Sequence, residues 1–261
     1  MRSLPNLLEG EIMKFLVLSM LLFSLMVVYA NTGAAKIQEK DIFFYFTFDE
    51  GKGDEAKDIG PDKHVATLNN GAKWTKNGKI KGGIQFSGNA YVEIVADVPE
   101  KDFTMALWIN TKNSGVGVYS VLDGPAGAGG HDRHFYIQGG NICFRVWRGA
   151  GWCTTTKVSD GKWHHIALVT ETGEGQDAYV DGKAVGHFDY DHSDFNWQKR
   201  VWVGFSNDAG QDYFDGIIDE PAYYNRPLME KEIKEAMNYS AQAVSSKGKL
   251  ATTWSNIKVN Y

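Results

Sequence analysis

From Asp41 onward the chain breaks into short β-type segments divided by glycine-rich turns, and no helical period intervenes before Leu228. The segments are IFFYFTF (42–48), GIQF (83–86), AYVEIV (90–95), FTMALWINT (103–111), GVYSVLD (117–123) and HFYIQ (134–138). They continue as ICFRVW (142–147), WHHIALVTE (163–171), DAYVDG (177–182), RVWVGFS (200–206) and FDGIIDEPAYYN (214–225). Between them stand SGN, DGPAGAGG, QGGN, RGAG, SDGK and VDGK, whose Gly, Asn and Asp residues tolerate the backbone of tight turns. Strands this closely spaced predict an all-β fold, two antiparallel sheets packed as a jelly-roll sandwich. ALWINT and IALVTE alternate only in part, as central strands covered on both faces do. One short C-terminal helix is expected over Leu228–Asn238, with Leu228, Ile233, Ala236 and Met237 on one side, Pro227 before it and acidic residues in its first turn. Met229 takes the N-cap place without a capping side chain, at a cost of about 1 kcal/mol. A length of 261 residues suits one such domain, expected over 41–238.

The N-terminus carries an address. Met13 and Lys14 precede an uninterrupted apolar run from Phe15 to Ala30, and Val28 and Ala30 suit the −3 and −1 positions of a cleavage before Asn31. Residues 1–30 are therefore expected to be a signal peptide, with Met13 the true start. The alternative, a membrane anchor, needs a run of roughly 18 or more residues. No cysteine follows the run to accept a lipid. Export implies a secreted, periplasmic or cell-surface location, with no membrane span after cleavage. The tail 239–261 is polar and aperiodic, and its Trp254 could dock on the domain. With 27 Lys and Arg against 32 Asp and Glu, and no basic cluster, nucleic acid is not an expected partner.

Two cysteines remain, Cys143 and Cys153, in NICFRVWRGAGWCTTT. The segment reads as strand, turn, strand, and the even separation permits direct opposition across the pair. In an exported chain a disulfide is expected; zinc is the alternative, but further ligands at suitable spacing are missing.

Several segments resemble, in family order, the laminin-G-like jelly-roll domains of the concanavalin A-like lectin/glucanase superfamily. FTFDEGKGDEAKDIGPDKHVATL is similar to the opening strand and loop, KGGIQFSGNAYVEI to a hairpin, and FTMALWIN to a central strand. DGKWHHIALV with AYVDGK resembles the next strand and hairpin, and FDGIIDEPAYYNRPLMEKEI the closing strand and helix. The resemblance implies a concanavalin A-like sandwich. It also implies a structural Ca2+ held by Asp58, carbonyls around Gly60, Asp62 and Asp219; the competing reading has these residues cap turns and accept backbone hydrogen bonds. Trp108 and Trp163 are expected in the core between the sheets.

Hydrolases of this superfamily place paired carboxylates two residues apart on one strand, so that both face the sugar. No such array occurs. Asp219 and Glu220 are adjacent and expected on opposite faces, Asp215 stands apart, and Asp189, Asp191 and Asp194 fall in a loop. The pair His164–His165 reads as one surface and one core residue. Candidate ligand contacts are Asp132 and Arg133 after the long glycine loop, Trp147 and Trp152 around RGAG, and Tyr190 and Trp197 near DYDHSDFNW. Flat aromatic surface with a few directed polar groups suits sugars. The function expected is a non-catalytic module binding extracellular glycans or adhering to surfaces. The alternatives are a protein-interaction module and a glycosidase with an unrecognised carboxylate pair.

Overall fold

The structure is a computed structural model and describes residues 36–123, 131–146, 150–191 and 199–240. The expected signal peptide, the start at Met13 and the tail beyond Ser240 lie outside the described residues. Among those described, no helix is long and apolar enough to cross a membrane.

Among the described residues, sixteen strands form two antiparallel sheets. The first holds β1 (Ile42–Tyr45), β4 (Lys73–Ile80), β5 (Gly82–Ser87), β7 (Phe103–Asn110), β12 (Trp163–Glu171), β13 (Gly175–Val180), β14 (Lys183–Phe188) and β16 (Asp215–Tyr224). Its order is β14-β13-β12-β7-β16-β5-β4, with β1 also paired to β16. The second holds β2 (Glu55–Lys57), β3 (Val65–Asn69), β6 (Tyr91–Val95), β8 (Gly117–Leu122), β9 (His131–Gln138), β10 (Asn141–Arg145), β11 (Trp152–Lys157) and β15 (Arg200–Val203). Its order is β11-β10-β9-β8-β15-β6-β3-β2. The expected sandwich is thus present. Every strand expected from the sequence is found, along with β2, β3, β4 and β14, which are polar and lie at or next to sheet edges.

Aromatic and branched side chains fill the space between the sheets. Phe44, Phe86, Phe103, Phe135 and Phe144 are fully buried there, with Ile84, Val92, Leu107 and Ile166 among them. Such interdigitated faces hold sheets about 10 Å apart. Strand alternation then dictates what each sheet shows on its other side.

On the outer side of the first sheet, Ala167, Ala106 and Ala222 stand opposite one another across β12, β7 and β16. This row of small side chains makes a shallow floor. Helix α1 (Glu230–Ala236) presses Ile233 and Ala236 against it, with Leu228, Ile37 and Ile42 completing the cluster. That cover explains why β7 and β12 are apolar on both faces. No side chain caps α1 at Met229, as expected, but the Glu232 carboxylate accepts the Met229 N–H at 3.0 Å. Arg226 forks onto both oxygens of Glu232 at 2.6 and 2.9 Å and reaches Asp41 at 3.0 Å, tying the helix start to the chain before β1.

Two expectations change here. Trp108 is buried, but on the outer side under the helix end, where its Nε1–H donates to the Met237 carbonyl at 3.3 Å and the Lys79 ammonium lies 4.3 Å from its ring. Trp163 shares that outward parity on β12 with His165 and Ala167 and is half-buried. The helix, not the second sheet, covers this side of β7 and β12.

Cys143 and Cys153 are opposite one another on β10 and β11 and are joined by a disulfide. The bond clips the edge strand β11 to its neighbour β10.

His165 is buried edge-on to Trp108, with ring centroids 5.2 Å apart, and burial pushes its imidazole down to about 4. The unfolded chain takes up that proton near pH 6.5, so stability should fall as pH drops from 6.5 towards 4, by up to about 3 kcal/mol. Thermal midpoints across this window should decline less steeply in His165→Gln than in the parent; equal slopes would exclude His165 as the cause.

Candidate functional site

The outer side of the second sheet differs from that of the first. The one α-helix among the described residues lies elsewhere, and this side shows rings and charges. Along β6, Val92 and Ile94 enter the core while Tyr91, Glu93 and Val95 point out. Along β15, Val201 and Val203 enter the core while Arg200 and Trp202 point out. Trp202 is opposite Glu93, and Arg200 is opposite Val95. The Tyr91 and Trp202 rings stack with centroids 3.6 Å apart and planes inclined by 16°. Phe205 meets Trp202 edge-on at 5.2 Å and Tyr213 at 5.1 Å. Trp202 is nearly buried, whereas Tyr91 and Tyr213 remain partly exposed. The result is a rigid aromatic platform.

Glycine allows the platform its support. The chain from Phe205 to Tyr213 crosses β8 directly above Gly117, where a Cβ would lie 2.1 Å from the Ser206 nitrogen and 2.2 Å from the Asp212 oxygen. Any side chain at Gly117 would push this segment off the sheet, and Phe205 and Tyr213 with it.

Charges flank the rings. Glu93 accepts the Trp202 Nε1–H at 2.9 Å and pairs with Arg200 at 2.8 Å. Burial raises the Tyr91 phenol, with Glu93 adding to the effect. Across the crossing segment, Arg145 pairs with Asp208 at 2.7 Å and approaches His134 Nε2 at 3.3 Å.

Ser206, His134 and Asp208 lie close enough to invite a nucleophile reading, but the geometry opposes it. A guanidinium has no acceptor, so the Arg145 contact requires the lone pair of His134 on Nε2 and its proton on Nδ1. In that tautomer Nδ1–H donates to Ser206 Oγ at 2.9 Å instead of taking a proton from it. Asp208 is 4.0 Å from Nε2 and engaged with Arg145, and Ser206 is fully buried.

The residues singled out from the sequence fall in three places. Asp58 accepts the N–H groups of Tyr45, Gly60 and His64 at 2.8, 2.6 and 3.2 Å, closing the loop around Gly60. The Gly60 carbonyl accepts the Lys63 ammonium at 2.6 Å, and Asp62 is exposed. Asp219 accepts the N–H groups of Lys79, Ile80 and Glu220 at 2.9, 3.0 and 2.9 Å. A bulge between Asp219 and Ala222, with Glu220 at φ +53°, replaces the simple alternation expected there. Burial pushes the Asp219 carboxyl up to about 8, and Glu220 to about 7, where the Tyr45 hydroxyl donates to it. Among the described residues no three His, Cys, Asp or Glu side chains gather as metal ligands. The backbone contacts of Asp58 and Asp219 fit turn closure.

Arg133 is fully buried, donating to the Pro99 carbonyl at 2.8 Å beside Asp132. Both are in the interior, away from solvent. Trp152 stacks on Phe188 with centroids 5.9 Å apart and donates to Gln176 at 3.0 Å, while Gln176 donates to the Tyr190 carbonyl at 2.5 Å. Trp152 and Tyr190 thus meet where the β11 edge approaches β14. Trp147 and Trp197 lie outside the described residues. None of these groups includes Tyr91, Glu93, Arg200, Trp202 or Tyr213. Their signal was the outward parity in AYVEIV and RVWV.

The family model of the concanavalin A-like lectin/glucanases superfamily, laminin-G type 3, matches residues 86–234, more than half of the chain. The chain belongs to this superfamily. Among its solved structural relatives is the binding domain of paraclostridial mosquitocidal protein 1, with a TM-score of 0.59 and 16% identity over 78% of this chain and 53% of that one. Domain 4 of AbnA, a GH43 extracellular arabinanase from Geobacillus stearothermophilus solved with arabinotriose, has a TM-score of 0.55 and 14% identity, covering 77% of this chain and all of that one. The binding domain of botulinum neurotoxin DC, solved with rat synaptotagmin II, gives 0.58 and 12% identity over 77% and 52%. The chain spans about half the length of these toxin domains, and at such identities the likeness shows the fold. No curated protein matches the sequence.

Dialysis against a chelator should leave the melting temperature of this laminin-G-like domain unchanged, because backbone N–H groups already hold Asp58 and Asp219. A fall in Tm reversed by Ca2+, with stoichiometric metal by elemental analysis, would support a Ca2+ site at these residues.

Proposed function

We propose that the chain is an exported, non-catalytic module that binds carbohydrate on the outer side of its second sheet. The observation that carries this reading is the Tyr91 ring, stacked on Trp202 and partly exposed beside a charge pair. A ring fixed in this way offers flat apolar surface at little entropic cost, and its polar neighbours can fix orientation. The likeness to binding domains of toxins and to an arabinanase domain solved with arabinotriose supports a binding role. A non-catalytic role is supported by the burial of Ser206, Asp219 and Glu220, with both carboxyls accepting hydrogen bonds from their own chain. Its place would be the cell surface, the periplasm or the medium, and its partners extracellular glycans.

A second reading, a protein-docking surface, draws on the exposed Val65 and Val95 near the platform, which are 47% and 61% exposed.

Immobilised polysaccharides and matrix proteins separate the readings. Tyr91→Ala should weaken polysaccharide retention about tenfold to a hundredfold, the range of a central aromatic anchor, without changing Tm greatly. Reducing sugar should not be released. Retention by proteins alone would favour the second reading, and sugar release would contradict the non-catalytic one.

A further inference from the structure

The geometry points to an uncharged sugar bearing two neighbouring hydroxyls as the ligand class of this platform, read by Glu93 and Arg200 while its ring lies on Tyr91. The inference rests on the carbohydrate reading above and narrows it.

Glu93 stands two residues from Tyr91 on the same side of β6. Its Oε2 accepts from Trp202 and its Oε1 forms an ion pair with Arg200, so both side chains are held in position. Each carboxylate oxygen retains a further lone pair, and the guanidinium retains further N–H groups. The Glu93 and Arg200 side chains are 22% and 37% exposed, so these unused positions can meet a ligand. The pair therefore presents an acceptor and a donor side by side at the edge of a ring face.

A hydroxyl both donates and accepts. Two on adjacent carbons can give one hydrogen bond to Glu93 and take one from Arg200. A sugar carboxylate or sulfate only accepts, and it would meet the Glu93 charge in a partly desolvated place; an ammonium only donates and would meet Arg200. Because the pair is neutral as a unit, it exerts no net pull on a polyanion. Tyr91, Glu93 and Val95 follow one another on this side at intervals of about 7 Å, and exposed Val95 and Val65 extend the apolar surface beyond the pair. More than one ring can lie along β6.

The test is an array carrying arabinotriose, cellotetraose and trigalacturonate, each intact and after periodate, which cleaves the bond between hydroxyl-bearing carbons. The intact chain should bind neutral oligosaccharides, insensitively to salt, and lose them after periodate. Glu93→Gln should weaken that binding about tenfold or more, the loss expected for a hydrogen bond to a charged group. Should Glu93→Gln fail to fold by circular dichroism, Arg200→Lys keeps the charge, removes the fork and should weaken binding to a similar degree. A preference for trigalacturonate that fades with salt, or binding that survives periodate or the folded variants, would overturn this inference and leave the carbohydrate reading standing. Absence of binding to any glycan on the array would overturn both.

Discussion

The burial of aromatic side chains between the two sheets fixes the direction of nearly every other side chain in the domain. Phe86, Phe103, Phe135 and Phe144 are fully enclosed there, and burying each is worth roughly 1.5–3 kcal/mol. A strand that commits one residue to this layer must turn the next one outward, because its side chains alternate. The two outer sides follow from that commitment, and they have diverged. On the first sheet the outward row is alanine, and a short helix rests on it. On the second sheet the outward residues of β6 and β15 are Tyr91, Glu93, Arg200 and Trp202, which build a platform. Gly117 completes the arrangement by letting the segment with Phe205 and Tyr213 cross the sheet at backbone distance.

Much of the fold was legible in the sequence because its signals are local. Segments such as WHHIALVTE carry the residue types of strands and end on turn chemistry, and the family motifs stand in order along the chain. The disulfide followed from the strand–turn–strand reading around Cys143 and Cys153. The strands that escaped, β2, β3, β4 and β14, are short or rich in Lys, Gly and Asn, and three of them are edges. Edge strands are held by a neighbour's backbone and need no apolar pattern of their own. Trp108 was misplaced for a related reason. Parity along FTMALWIN separates Trp108 from Leu107 and Ile109, but only the packing of α1 shows that its side is also covered.

The site was less legible. Attention to loop aromatics led to Trp152 and Tyr190, which hold the sheets' rim together, and to Arg133, which stays inside. Tyr91 and Trp202 sit in ordinary strand patterns, and their partnership needs β6 and β15 to be neighbours although more than a hundred residues separate them. The same holds for Asp58 and Asp219. Their types suit calcium, yet the folded backbone supplies three N–H groups to each. Carboxylates held in this way tie distant loops to the sheets.

Mapping backbone amides by nuclear magnetic resonance during titration with a bound oligosaccharide most directly tests whether recognition belongs to this strand face. The perturbed amides should cluster on Tyr91–Val95 and Arg200–Val203, with Tyr213 among them. Perturbations confined to the rim around Trp152, Gln176 and Tyr190, or to the side covered by α1, would contradict the account.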